Sequence, residues 1–362
     1  MRRELVRVSA SISKATINQV AEAAGVSTTT ISRYLNEKYE YMSVKTRERI
    51  RKVIEELDYR PSNIARSLKA EKSGVVGCII ADITNPFTSY VVKGINDVCR
   101  KNGYQVLFSN TDNSPESEIE CIKSFMDNRL DGLIINTTGY VDDYIVDLNK
   151  KGVHIVMADR CLKNRRLLDT ITTENYYSTY DCMKFLKNQG YDKIVFFTQQ
   201  IGNNSTRYIR NNAYMDAMDK LYSVDGKYDT YEIDINKTSI CRGYLRKLKQ
   251  ENPDKEIAIF AVNGVTLLNV LHAIKEENME IAREFGICGF DDWEWASLIG
   301  PGITTITQDS YMTGVKSAQL LMKRINSGSN GKIKYTEISP VLMARGSTIP
   351  YTNKNQQVII GT

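Results

Sequence analysis

Residues 16–36 read TINQVAEAAGVSTTTISRYLN, and their spacing decides how the start of the chain folds. Ile17, Val20, Ala21 and Ala24 recur at helical spacing and stop at Gly25, which predicts a short helix over 17–24. After Val26, Ser27 can cap a second helix through Leu35, with Ile31 and Leu35 four residues apart for burial. That register leaves Thr28, Thr29, Ser32 and Arg33 facing outward. Ala21 and Gly25 are the small residues expected where the two helices cross, so the stretch has the pattern of a helix-turn-helix. An ordinary helical hairpin shares the spacing, and the surrounding chain weighs against it.

A third helix over 44–57 offers Ile50, Val53, Ile54 and Leu57 to the same small core before Pro61 breaks the chain. Residues 62–70 are amphipathic but shorter than the ~12–15 residues an isolated helix needs in water, so this segment is expected to fold only against a partner. Residues 71–74 read as linker. Of 48 Lys/Arg and 43 Asp/Glu, residues 1–72 hold 15 and 9, and the rest hold 33 and 34, so the net charge of +5 belongs to the N-terminal part. A small basic module on a near-neutral body is the charge pattern of a DNA-binding headpiece on a sensing domain.

From Gly74 onward, VVGCII (75–80), VLFSN (106–110), GLIIN (132–136) and HIVMA (154–158) alternate with helical stretches such as 88–101 and 116–127, the punctuation of a parallel sheet. A second series lies near 194–198, 230–235, 257–262 and 285–289. Strands near 303–306 and 335–341, with a helix over 313–325 between them, suggest late crossings between two subdomains. The expected fold is an all-α helix-turn-helix headpiece followed by an α/β body of two doubly wound parallel-sheet subdomains. Its divisions are a basic extension (1–14), the headpiece (15–60), a hinge helix and linker (61–73), the body (74–348) and a tail (349–362).

A chain of 362 residues, 42% hydrophobic and 25% charged, has the balance of a globular protein of two or three domains. The longest apolar runs are strand-sized, no signal peptide is readable, and a cytoplasmic protein with no membrane contact is expected. Seven scattered cysteines without a Cys-x-x-Cys pair fit reduced thiols; Cys161 beside Arg160 has no evident base partner. Two histidines, His154 and His272, leave no raw material for a metal site or a His-based triad, and no cofactor is expected. Phosphate-loop, hydrolase-elbow and dinucleotide motifs are missing, so an enzyme on a doubly wound sheet lacks its usual anchors. A free binding receptor on the same sheet pattern would need a secretion signal and would not carry residues 15–60.

The chain resembles the lactose/galactose repressor family of bacterial transcription regulators over nearly all of residues 15–348. The stretches that carry the resemblance are ATINQVAEAAGVSTTTISRYLN (15–36), VKTRERI (44–50), LDYRPSNIARSLK (57–69), NPF (85–87), DGLIIN (131–136), GFDD (289–292) and TTITQD (304–309). The resemblance implies a body folded like periplasmic sugar-binding proteins, with an effector between the subdomains and a homodimer on a pseudo-palindromic operator. On the DNA side it implies that Thr28, Thr29 and Arg33 read base edges, with Thr16, Ser27 and Asn36 at phosphates or in support. Arginine can hold guanine bidentately and threonine can touch a thymine methyl. Leu68, with Lys69 beside it, falls on the family's minor-groove wedge.

On the effector side the resemblance implies Phe87, Asn136, Asp159, Arg210, Asn263, Asp291 and Gln308, polar or stacking groups at the carboxyl ends of strands where open α/β sheets bind small molecules. A repressor of carbohydrate-use genes answering to a sugar or a sugar acid is the expected function. Two departures stand out: Asn263-Gly264 replaces the family's Asn-Asp, and Arg210-Asn-Asn-Ala213-Tyr214 replaces its Arg-x-x-Gly-Phe. The turn EKYEYM (37–42), about one residue longer than the lactose repressor's, is similar to that of regulators of ketodeoxygluconate and hexuronate use, which points to an acidic sugar. Trp293 and Trp295 beside Asp291 are expected either at the cleft rim or in packing. The tail has no leucine heptad, so a dimer and not a tetramer is expected.

Overall fold

The computed structural model describes residues 15–59 and 72–350, apart from 225 and 330, and divides the chain into two compact units at Ser73/Gly74. In the first unit, α1 (Ile17–Ala23) is capped by Thr16 and α2 (Thr28–Leu35) by Ser27, each through its hydroxyl to a backbone N–H three residues on. Helix α3 (Val44–Glu56) closes a small core of Val20, Ala21, Ala24, Ile31, Ile50 and Val53. Two expectations need correction. Gly25 does not sit at a helix crossing: a Cβ there would meet nothing within 4 Å, and the residue serves a left-handed turn (φ 60°), while Ala21 and Ala24 fill the contact. Leu57 is exposed (38%), because the chain turns left-handed at Asp58 after α3 and swings Tyr59 into the core instead.

The second unit carries two six-stranded sheets. The first has the order β11-β5-β4-β3-β1-β2 and is wholly parallel, built from β1 (Val75–Ile80), β2 (Gln105–Asn110), β3 (Gly132–Ile135), β4 (Ile155–Ala158), β5 (Asp169–Thr173) and β11 (Tyr335–Ile338). Its central strands β1, β3 and β4 are apolar because both faces are covered, whereas the edge strand β2 is partly exposed. The two-residue period sends Val76, Cys78 and Ile80 to the helices α4 (Pro86–Lys101) and α11 (Ser310–Ser327), and Ile79, Leu133 and Ile135 to α5 (Pro115–Asp127) and α6 (Asp142–Lys150). Helices α4 and α11 meet backbone to backbone: a Cβ on Gly314 would lie 2.0 Å from the Val91 carbonyl oxygen.

The second sheet has the order β12-β10-β9-β8-β6-β7, from β6 (Lys193–Thr198), β7 (Thr230–Glu232), β8 (Ile257–Ala261), β9 (Gly286–Phe290), β10 (Thr304–Thr307) and β12 (Val341–Met343), only the β10–β12 pair being antiparallel. Helices α7 (Tyr176–Asn188) and α8 (Ser205–Tyr222) cover one face, and α9 (Thr238–Glu251) and α10 (Gly264–Glu276) the other. The chain crosses between subdomains after β5, after β10 and after β11. The last crossing splits the single strand expected over 335–341: Pro340 has no N–H for a ladder, so β11 ends at Ile338 in one sheet and β12 begins at Val341 in the other. Strand β5 was not anticipated at all.

Among the described residues all seven cysteines are free, no cluster of His, Cys, Asp and Glu could hold a metal ion, and no helix is long and apolar enough to cross a membrane.

Candidate functional site

On the headpiece, Thr28, Thr29, Arg33 and Asn36 are exposed along α2, and Ser32 is half-buried between them. Ser27 spends its acceptor on the cap, to Thr30 N at 3.2 Å. Thr16 is held in a reciprocal capping box with Gln19, its backbone N–H donating to Gln19 Oε1 at 2.8 Å. Asn36 ends α2, its Nδ2 donating to Ser32 O at 2.8 Å. The turn after it carries Tyr39 under the Arg47 guanidinium (3.8 Å) and Tyr41 near that of Arg33 (5.0 Å). Tyr41 thus lies under the Arg33 side chain, a relation no sequence spacing revealed. Leu68 and Lys69 lie outside the described residues.

In the body, Phe87, Asn136, Asp159, Arg210, Asn263, Asp291 and Gln308 all line one cleft between the subdomains. Asp159 follows β4 and Asp291 follows β9, both with left-handed backbone (φ 67° and 73°) that turns each carboxylate off its strand end. Asn136 donates to Asp159 Oδ2 at 2.9 Å. Asp291 accepts from Gly264 N (2.9 Å) and Gln308 Nε2 (2.5 Å). Asn263 caps α10 by accepting from Thr266 N and donates to Gln199 Oε1 at 3.0 Å, so most of its polar capacity is spent within the protein.

Arg210 lies on the Phe290 ring, 3.4 Å from its centroid, and donates to Asn175 Oδ1 (2.8 Å), Val262 O (2.7 Å) and Gln308 Oε1 (3.3 Å). Burial pushes its pKa down to about 10 against the opposing pull of Asp291 and Asp159. Burial likewise pushes Asp159 up, opposed by Arg160 and Arg210.

Sequence reasoning missed several neighbours in the cleft: Asp82, Asn85, Asn113, Gln199 and Asn204 among them. Gln199 directly follows β6, the same kind of strand-end position that the resemblance implied at Asp159. Arg160 and Arg207, which from the sequence could either help Arg210 neutralise a carboxylate or face solvent, both line the cleft. Trp293 and Trp295 line an adjoining cavity that shares Phe87, Asp291 and Gln308 with the cleft, and both also pack, Trp295 on the core and Trp293 against Gly264. The two departures are explained by packing. Gly264 lies against the Trp293 indole, and Tyr214 is buried with its hydroxyl donating to Ile194 O at 3.0 Å.

The model for bacterial regulatory proteins of the lacI family matches residues 16–62, and that for a periplasmic binding protein-like domain matches 183–348. The HTH-type transcriptional regulator KdgR of Bacillus subtilis is 37% identical over 332 residues, covering 92% of this chain and 97% of its own. This chain belongs to the lacI family. A second relative, the HTH-type transcriptional regulator PtxS of Pseudomonas putida, is 29% identical over 93% of this chain and 97% of its own. The structure of the lac repressor dimer bound to operator and the anti-inducer ONPF superposes with a TM-score of 0.80, covering 92% of this chain and 99% of that one; at 22% identity this is a likeness of fold. As a lacI-family member the protein is a DNA-binding regulator of transcription and not an enzyme.

Proposed function

We propose that this lacI-family regulator is a cytoplasmic, homodimeric repressor of carbohydrate-use genes whose effector is a small polyhydroxy acid held in the cleft. The observation that carries the reading is that three guanidiniums, Arg160, Arg207 and Arg210, line one small cleft together with two hydroxyl-accepting carboxylates, Asp159 and Asp291, and none of the three forms an ion pair within 4 Å among the described residues. Carboxylates suit sugar hydroxyls, and guanidinium forks suit an anion. The test is calorimetric titration of matched pairs, gluconate with glucose and galacturonate with galactose. At least one acid is expected to bind tenfold or more tighter than its parent sugar. Equal affinities would move the reading to a neutral sugar.

On DNA, Thr28, Thr29 and Arg33 are proposed to read base edges, with Thr16, Ser27 and Asn36 supporting them and Leu68 and Lys69 at the minor groove. Closure of the cleft needs only ~1–3 kcal/mol of coupling to alter operator affinity several-fold to a hundred-fold. Arg33→Ala should cost roughly 1–3 kcal/mol of operator affinity and relax one base position in each half-site. Selection of binding sites from random duplexes checks both this and the dimer: recovery of a motif without twofold symmetry contradicts two copies on one operator.

A further inference from the structure

The three cleft arginines are not equivalent. Arg210 has three of its five N–H donors committed within the protein and lies between Asp159 and Asp291, so an incoming carboxylate there meets two charges of its own sign. Arg207, on the first turn of α8, donates Nη1 to Gln200 O (2.8 Å) and Nη2 to Gln199 Oε1 (2.7 Å), both neutral acceptors, and its Nε is buried without any partner. Its largest electrostatic neighbours are cations: burial, then Arg160 and Arg210, push it down to about 10, and Asp82 and Glu232 oppose them only weakly. Asp82 is itself engaged by the Thr84 amide and hydroxyl.

Arg160 comes from the other subdomain. It follows β4, is anchored by Nη1 to Thr137 O at 3.0 Å, and has its pKa lowered by burial against the opposing pull of Asp159, Glu118 and Asp82. The loops that carry the two arginines already touch: Cys161 N donates to Ser205 Oγ (2.9 Å) and Asn203 Nδ2 donates to Gly139 O (3.0 Å). Bringing the subdomains together at these contacts therefore brings two guanidiniums into mutual repulsion.

We infer that the anionic group of the effector sits between Arg160 and Arg207, one from each subdomain, and is the ion that joins the two halves of the cleft, while Arg210 with Asp159 and Asp291 receives hydroxyls. This rests on the polyhydroxy-acid reading above and adds the residues that select for the acid. An anion placed there satisfies the orphaned Arg207 Nε and turns the repulsion into attraction, so binding and closure become one event.

The chain's two tryptophans, both at the cavity beside the cleft, supply the readout. Full-length wild type, Arg160→Gln, Arg207→Gln and Arg207→Lys are titrated by tryptophan fluorescence with gluconate, galactonate, glucuronate and galacturonate, and with glucose and galactose. In wild type at least one acid is expected to outbind its parent sugar tenfold or more. In each Gln variant that preference should vanish through loss of acid affinity alone, with the neutral sugar bound as before and Arg207→Lys retaining part of it. Melting of the unliganded variants is the folding control, and if either Gln variant melts low, the other and Arg207→Lys carry the test. If no acid binds wild type, both the acid reading and the clamp are overturned. If acids bind and the Gln variants keep the preference, the clamp alone is wrong.

Discussion

Asp169→Ala is expected to destabilise the body by about 3–5 kcal/mol, because it strands a buried guanidinium. Asp169 and Arg324 are 5% and 6% exposed, and Arg324 on α11 meets the carboxylate with both Nε (2.6 Å) and Nη2 (2.9 Å). The same carboxylate accepts from Lys334 N at 2.7 Å, and Arg324 Nη2 also donates to Lys332 O at 2.7 Å. This one pair therefore ties the start of β5, the end of α11 and the entry to β11, three segments of the first subdomain that are far apart in sequence. Removing Arg324 as well should recover much of the loss, since an apolar replacement leaves no buried charge behind: Asp169→Ala with Arg324→Met is expected to lie well above the single variant in stability. Urea unfolding of the full chain checks both. A single variant within 1 kcal/mol of wild type would falsify the idea that this pair is desolvated.

The pair also shows where sequence reading stopped. β5 is DTITT, whose polar residues read as loop, yet its three threonines are buried and two of them are bonded through their hydroxyls: Thr172 Oγ1 donates to Asp159 O at 2.5 Å and Thr170 Oγ1 to Leu168 O at 3.1 Å. Threonine is β-branched and fits a strand once its hydroxyl has an acceptor, and only the fold supplies that acceptor. The apolar strands of both sheets and the helix cap at Ser27 were legible because their signals are local; the cap at Thr16 was not read. The cleft residues were legible only through the family resemblance, and the fold shows why several of them meet: Asn136, Asp159, Asp291 and Gln308 directly follow strands whose carboxyl ends face the cleft. Arg207 sits a turn inside a helix, where no strand-end rule looks, and its importance lies in an unpaired nitrogen that spacing does not encode. Gly25 was read for the wrong property, size instead of backbone sign, since a sequence prints the residue and not its φ.

Gly264→Asp, which restores the residue the family pattern has there, is expected to cost about 1–3 kcal/mol of stability by overpacking and to weaken effector binding tenfold or more. Backbone conformation does not require glycine: the position opens α10, where the helix dipole favours an aspartate. What requires it is the Trp293 indole, since a Cβ on residue 264 would lie 2.6 Å from Cζ2 and 2.7 Å from Cε2. Those are rigid ring atoms, so either the helix start or the indole must move. The helix start is held by Gly264 N donating to Asp291 and by the Asn263 cap, which leaves the indole to swing into the cavity it lines, beside Phe87, Asp291 and Gln308. The departure at 264 and the tryptophan at 293 are then one change made in two places, and they should be coupled energetically. Trp293→Ala in the Gly264→Asp background is expected to restore the melting temperature lost by the single substitution, though not effector affinity, because the aromatic wall of the cleft is gone. Thermal unfolding and calorimetric titration with the acid that binds wild type measure the two effects separately. A Gly264→Asp protein that melts with wild type and binds the acid unchanged would mean that the indole moves aside freely and takes no part in shaping the pocket.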